Sequence, residues 1–254
     1  MFTSESSPRS ALVTGASSGI GAATAHRLST DGWQVFALAR RAEKLEHLAE
    51  QEGIIPIVCD ITDPDAVRQA YEQVADAGGI DTLVNNAGGA LGVEAVGEGS
   101  VEDWRWMFEV NVLGTLNITQ AFLPMLREHG EGTVLNLTST AGITSYEGGG
   151  GYNAAKFGEH GMTGALRLEE AEHNIRVIEV LPGMVHTEEL SAKRLRGDAA
   201  AADAVYAGVD KPLTAEDVAE VIAHSVSLPH HINLDQIVVR PVAQAAQHKV
   251  VRKG

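Results

Sequence analysis

Short apolar runs alternate with longer amphipathic stretches along almost the whole chain. Ser10–Thr14, Gln34–Ala39, Ile54–Cys59, Thr82–Asn85, Thr133–Leu137, Ile175–Leu181 and Gln236–Arg240 are short and nearly continuous in apolar residues. Runs of that kind read as strands buried on both faces, as in a parallel sheet covered by helices on each side. Between them, Ile20–Thr30, Arg41–Gln51, Asp63–Asp76, Trp104–Glu128, Tyr152–His173 and Thr214–Leu228 carry helical spacing. Thr62 and Thr214 stand where N-caps are expected, and Asp65 follows Thr62 by three residues. The alternation predicts an α/β fold, a doubly wound seven-stranded parallel sheet in one domain spanning residues 1–254. Two segments break the pattern: Gly88–Ser100 is rich in glycine, and Ser191–Val209 in alanine and charge. A substrate lid is expected over about 187–210, and the tail 241–254, with its basic His248, Lys249, Arg252 and Lys253, is expected to be a frayed solvated end.

Composition narrows the function classes. A formal net charge of −15 opposes nucleic-acid binding, which needs a basic footprint, and opposes attraction to anionic membranes. No apolar run nears the roughly 18 residues of a membrane span, and Met1–Arg9 lacks the apolar stretch of a signal peptide. A lone Cys59 on an apolar strand reads as a buried small hydrophobe, and a reducing cytoplasm is the expected compartment. Ten histidines include the adjacent His230 and His231, but no H-E-x-x-H or cysteine cluster occurs, so no metal site is expected.

The first strand runs into Thr14-Gly15-Ala16-Ser17-Ser18-Gly19-Ile20-Gly21, and a helix follows at once. Glycines there let the backbone approach a ligand, and the helix N-terminus offers free N–H groups to a pyrophosphate. Gly15 to Gly19 also satisfies the G-x-S-x-G of a nucleophile elbow, but only about ten residues precede the strand, too few for the strand and loop that would build an oxyanion hole. Strand two ends in Ala39, where a carboxylate would bind an unmodified adenosine ribose, and Arg40 and Arg41 follow. Arginines at a helix start oppose its dipole, and a 2′-phosphate would compensate, so NADP(H) is favoured over NAD(H). Asp60 and Ile61, after strand three, are placed to contact the adenine, and Asn85, Asn86, Ala87 and Gly88, after strand four, to line the cleft.

Tyr152 and Lys156 are four apart and share a helix face. A phenol titrates near 10 and is a poor proton donor–acceptor at neutral pH unless a cation stabilises its phenolate. Ser139, thirteen residues earlier at the carboxyl edge of the sheet, is placed to orient a carbonyl oxygen. Asn111 is a polar residue inside a long helix, where it would bend the helix and free a backbone carbonyl. Tyr146 lacks a lysine four residues on and reads as a surface residue or as substrate-pocket lining.

Residues 8 to 240 resemble the short-chain dehydrogenase/reductase family, in the subgroup with a T-G-x-x-x-G-x-G loop. The motifs are Thr14–Gly21, Asp60, Asn85–Gly88, Asn111, Ser139, Tyr152, Lys156 and Pro182-Gly183 with Thr187. The resemblance implies an NAD(P)-dependent oxidoreductase interconverting an alcohol and a carbonyl, with Tyr152 as proton donor. It implies that Lys156 binds the nicotinamide ribose and lowers the Tyr152 pKa, that Ser139 positions the substrate and that Asn111 holds a water. Gly15, Ser17, Ser18, Gly19, Ile20, Gly21, Arg40 and Arg41 would hold the phosphates, and Pro182, Gly183, Val185 and Thr187 the carboxamide. Arg40 matches NADP-preferring members, and a homotetramer or homodimer built through the long helices is expected. Thr187-Glu188-Glu189, Pro212–Asp217 and Val238–Pro241 resemble reductases related to serine 3-dehydrogenase and 3-hydroxy acid dehydrogenase, implying a small 3-hydroxy acid or its semialdehyde. Two features depart from that pattern: the glycine-rich Glu147–Gly151, and Glu188 with Glu189, which would repel a carboxylate unless they face away. The alternative is a dinucleotide-sensing protein without turnover, for which Tyr152 and Lys156 have no use.

Overall fold

A computed structural model describes residues 9–187 and 194–253, leaving aside the side chains of 199 and 202. Seven parallel strands form one sheet: β1 Ser10–Thr14, β2 Gln34–Ala39, β3 Ile54–Val58, β4 Thr82–Asn85, β5 Thr133–Leu137, β6 Arg176–Pro182 and β7 Gln236–Val239. Their order is β3-β2-β1-β4-β5-β6-β7, with the chain reversing its direction of travel between β1 and β4. The near-continuous apolar runs follow from this architecture. Along β2, Val35, Ala37 and Ala39 enter one core, while Phe36 and Leu38 enter the other. The first core is closed by α1 (Gly19–Thr30) and a late helix over Ala215–Ser227; the second is closed by α3 (Pro64–Asp76) and by a helix over Gly114–His129 that contributes Ile118, Phe122 and Leu126.

Helix α2 (Ala42–Leu48) is shorter at both ends than its sequence pattern suggests. Asp63, not Thr62, caps α3: its carboxylate accepts the N–H groups of Asp65 and Ala66, and Pro64 follows. Thr62 instead donates its hydroxyl and N–H to Asp60. The long helix expected over Trp104–Glu128 is three pieces: α4 (Val101–Phe108), a π-turn at Glu109–Leu113 and α5 (Gly114–His129). Helix α6 (Gly150–Glu170) starts two residues before Tyr152.

Two other expectations are corrected. The segment expected to be irregular contains α7 (Ala199–Tyr206), capped by Asp198, whose carboxylate accepts the Ala201 N–H at 2.9 Å. After α8 (Ala215–Ser227), the tail is not frayed: β8 (Gln244–Ala246) and β9 (Lys249–Val250) form a hairpin. Gln244 is buried, and its side-chain oxygen accepts the Met184 N–H at 2.8 Å. Arg252 donates to the carbonyls of Val205 and Ala207, and the Lys253 N–H donates to the Gly208 carbonyl. Those main-chain acceptors at the end of α7, with Asp210 on the Lys253 ammonium and Thr140 on the Gln247 side chain, hold the tail.

Candidate active site

The site lies at the carboxyl ends of the strands, where β1 and β4 part. Gly15 and Gly19 take φ of 68° and 52°, in the left-handed region that favours glycine. A Cβ on Gly21 would strike Asn86 and the Gly15 carbonyl. Ser18 starts α1 without a side-chain cap bond, so the first N–H groups of this twelve-residue helix face outward from the loop. The loop is pinned from β4: Asn86 and Ala87 donate their N–H groups to the Thr14 hydroxyl at 2.9 and 3.0 Å, and the Asn86 amide donates to the Thr14 carbonyl. Asn86 therefore shapes the loop with its side chain. A bare backbone cradle at a helix N-terminus fits a dinucleotide pyrophosphate.

Arg41 precedes α2 and reaches back to the loop, donating to the Ser17 and Ser18 hydroxyls at 2.8 Å each. Arg40 pairs with Asp60 at 3.6 Å. Arg41 thus edges the loop at Ser17 and Ser18, while Arg40 stands at Asp60 after β3. The thiol of Cys59 beside this edge is buried, and burial, with Asp60 and Asp63 nearby, pushes it up to about 11. Ile61 is buried in the second core, its main chain accepting a hydrogen bond from the Asn117 amide.

Asn111 is fully buried in the π-turn. Its amide donates to the Met107 and Gly89 carbonyls at 2.7 and 2.8 Å, and its oxygen accepts the Gly89 N–H. The side chain replaces part of the helical ladder and ties the helix to the loop after β4, the physical cause of the break in the helix. A Cβ on Gly88 would lie 2.5 Å from the Asn111 oxygen and 3.6 Å from Lys156 Nζ, so this loop meets α6 here.

Ser139 caps the short turn after β5, accepting the Ala141 N–H at 3.0 Å. Asn153 on α6 donates to the Ala141 and Thr144 carbonyls, which fixes that turn against the helix carrying Tyr152. Thr187 reaches the other side of the cleft: a Cβ on Gly19 would lie 3.6 Å from its methyl. Pro182 ends β6 beside Ser139 and Gly183 follows against Gln244, while Val185 is buried and pairs with Leu213. Glu188 and Glu189 lie outside the described residues.

Tyr152 is half-buried, with Lys156 Nζ 5.9 Å from its ring centre. Lys156 is 4% exposed. Burial opposes its charge, but Glu159, Tyr152 and Glu179 outweigh burial and hold it above its ordinary value. A recess lined by Leu91, Gly92, Trp104, Met107, Gly148 and Tyr152 opens beside the phenol. The glycine-rich run before Tyr152 answers to this crowding: a Cβ on Gly149 would lie 2.5 Å from the Tyr146 ring, and one on Gly151 would strike Met107.

Sequence reasoning missed two groups here. Arg194 donates to the Tyr146 hydroxyl at 2.9 Å and to the Gly92 and Gly148 carbonyls at 3.3 and 3.2 Å. Its guanidinium carbon lies 5.4 Å from the Tyr146 ring centre and 5.8 Å from that of Tyr152. Among the described residues it forms no ion pair. Burial raises the Tyr146 phenol, against the pull of Arg194, so that hydroxyl stays neutral. The second group is Glu159, behind Lys156. A signal for it exists: Ala155, Glu159, Thr163, Leu166 and Glu170 share the buried stripe of α6, so the periodicity places two carboxylates inside.

No helix among the described residues is long and apolar enough to cross a membrane, and no metal-ligating cluster occurs among them. A family model for the short chain dehydrogenase matches residues 9–196. The chain is 49% identical to an uncharacterised oxidoreductase of Mycobacterium tuberculosis, over 97% of this chain and 96% of that protein. It is 40% identical to the serine 3-dehydrogenase of Agrobacterium fabrum, over 92% of this chain and 94% of that one. Among solved structures it resembles the closed form of a serine dehydrogenase complexed with NADP+, at a TM-score of 0.90 and 34% identity, covering 96% of this chain and all of that one.

Proposed function

This oxidoreductase belongs to the short-chain dehydrogenase family, and we propose that it interconverts a small 3-hydroxy acid and its carbonyl form with NADP(H), Tyr152 moving the proton. The observation that carries the reading is the pair of cations near one phenol: Lys156 on its own helix, 5.9 Å from the ring centre, and Arg194, 5.8 Å from it. Bound NADPH would supply hydride. Tyr152 would give its proton to the substrate oxygen, and Lys156 would hold the resulting phenolate. Ser139 would orient that oxygen. The Asn111 amide is committed to Met107 and Gly89, so a water relay at this position would use the main-chain carbonyl.

Arg194 supports the substrate class. Among the described residues, three of its five N–H donors meet neutral oxygens, two of them main-chain carbonyls, and no carboxylate pairs with it, which suits a guanidinium that takes a substrate carboxylate. A serine 3-dehydrogenase among the relatives agrees with a hydroxy-acid substrate. The two arginines after β2 support NADP(H), in agreement with the NADP+-bound serine dehydrogenase. Exposed Phe108 on α4 and Phe157 on α6 support a homotetramer or homodimer closed through these helices.

Tyr152→Phe tests the mechanism. Turnover of 3-hydroxy acids with NADP+ should fall by about 10²- to 10⁴-fold, while NADPH affinity, followed by fluorescence, stays near the wild type. Full retained turnover would refute the assignment.

A further inference from the structure

Behind Lys156 lies a buried acidic cluster that the proposed reaction does not use. Lys156 Nζ donates to Glu159 Oε2 at 2.5 Å and to the Leu137 carbonyl at 3.3 Å, and the two charged side chains are only 5% and 1% exposed. Two of the three ammonium donors are thus taken by buried protein acceptors. On β6, fully buried Glu179 accepts the Thr138 hydroxyl at 2.7 Å and the Gln236 amide at 3.3 Å, and meets His160 Nδ1 at 2.9 Å. His160, next to Glu159 in sequence, is partly exposed.

We propose that Glu159 is a positioning residue: its carboxylate holds Lys156 against the floor of the site and sets how much of the lysine's charge reaches Tyr152. An ammonium alone, 5.9 Å from the ring centre and shielded from water, favours the phenolate strongly. An ammonium bonded to a carboxylate acts as a dipole, and its field at the ring is much weaker. The electrostatic surroundings of Glu159 are Lys156 on its own helix and Glu179 on β6, with His160 on the far side of Glu179. Tyr152 has Lys156 Nζ 5.9 Å and the Arg194 guanidinium carbon 5.8 Å from its ring centre. Burial raises Glu159 and Glu179 adds to the rise, while Lys156 opposes both. The carboxyl therefore changes charge at higher pH than an ordinary glutamate. Its ionisation makes Tyr152 a weaker acid, so the proton step answers to a carboxylate that touches no substrate.

The inference rests on Tyr152 being the proton donor, and its test separates the two ideas without needing the substrate. The ultraviolet absorbance of tyrosinate is titrated in the NADP+-bound enzyme, and the Tyr152→Phe curve is subtracted; with four tyrosines in the chain the difference isolates one phenol. Glu159→Gln keeps the shape and removes the charge, so the Tyr152 midpoint should fall by about one pH unit, the size of shift a close buried charge produces. Glu159→Asp, which draws the carboxylate back by one methylene, should shift it less and in the same direction, and carries the test if the Gln variant does not fold. A midpoint unmoved in the variants that fold overturns the role of Glu159 while leaving Tyr152 as donor. If Tyr152→Phe removes no phenol with a lowered midpoint, the reading of Tyr152 fails and this inference with it. A purely structural Glu159 would change melting temperature without moving the phenol.

Discussion

Arg194 and the Arg40–Arg41 pair carry the proposed selection of substrate and cofactor in a chain of net charge −15. Arg194→Met keeps much of the side-chain volume beside Tyr146 and removes the charge. A charge-assisted pair to a carboxylate is worth about 1.5–3 kcal/mol. The substitution should therefore raise KM for 3-hydroxy acids by about 10- to 150-fold, with a small effect on an uncharged ketone, both read by steady-state kinetics. Equal losses for both substrates would show that Arg194 merely braces the Gly92 and Gly148 loops. At the other end of the cleft, Arg40→Asp puts a carboxylate where a 2′-phosphate would sit. It should reverse the ratio of NADPH to NADH in kcat/KM by at least about 10²-fold, since repulsion replaces attraction; an unchanged ratio would leave cofactor choice to Arg41 alone. Local spacing made these arginines after strand two legible in the sequence. Arg194 was not legible, because it meets Tyr146 and Gly148 across nearly fifty residues of chain and sits in a stretch without periodicity.

At the scale of elements, the sequence reads best where one face or one cap decides. Thr214 accepts the Asp217 N–H, and Asp217 accepts the Thr214 N–H, a complete capping box for α8. Thr214→Ala should cost about 1 kcal/mol and lower the melting temperature by about 2–4 °C in a chain of this size, measured by calorimetry, with kinetics unchanged because α8 closes the first core far from Tyr152. No loss of stability would mean that water satisfies the helix end equally well. The misreadings come from competition between neighbours. Thr62 is the right type for a cap, yet Asp60 captures its hydroxyl and leaves Asp63 to start α3. The π-turn is hidden for a similar reason: nothing in the local pattern says that Asn111 will reach Gly89, twenty-two residues back. The tail, short and basic, gives no periodic signal at all, and contacts far off in sequence order it: the carbonyls of Val205, Ala207 and Gly208, the Met184 N–H, the Thr140 hydroxyl and the Asp210 carboxylate.

For the molecule as a whole, the surface carries an apolar face on α4 and α6. Phe108 and Phe157 are each more than two-fifths exposed, and Leu168, farther along α6, is 83% exposed. The Phe108 ring lies over α6 at Gly158, where an added Cβ would be 3.5 Å from it, so the two phenylalanines form one apolar face. Beside them a hollow of about 560 Å³, lined by Val96, Trp104, Tyr146, Asn153 and Phe157, is open to solvent. Apolar residues gathered on one helical face mark an association surface more often than isolated ones do. A twofold pairing of this face would bury the same residues from both copies, as closed symmetry requires. Phe157→Glu places two carboxylates into such a contact, each desolvated without a partner, which is a cost of several kcal/mol. Light scattering after size exclusion should then show the wild type as a dimer or tetramer and the variant as a smaller species. Trp104 and Gly148 line both this hollow and the recess beside Tyr152, so separation of the copies should also raise KM for the acid substrate. A wild type that runs as a monomer would remove the assembly, while a variant that keeps the wild-type mass would move the interface to another face.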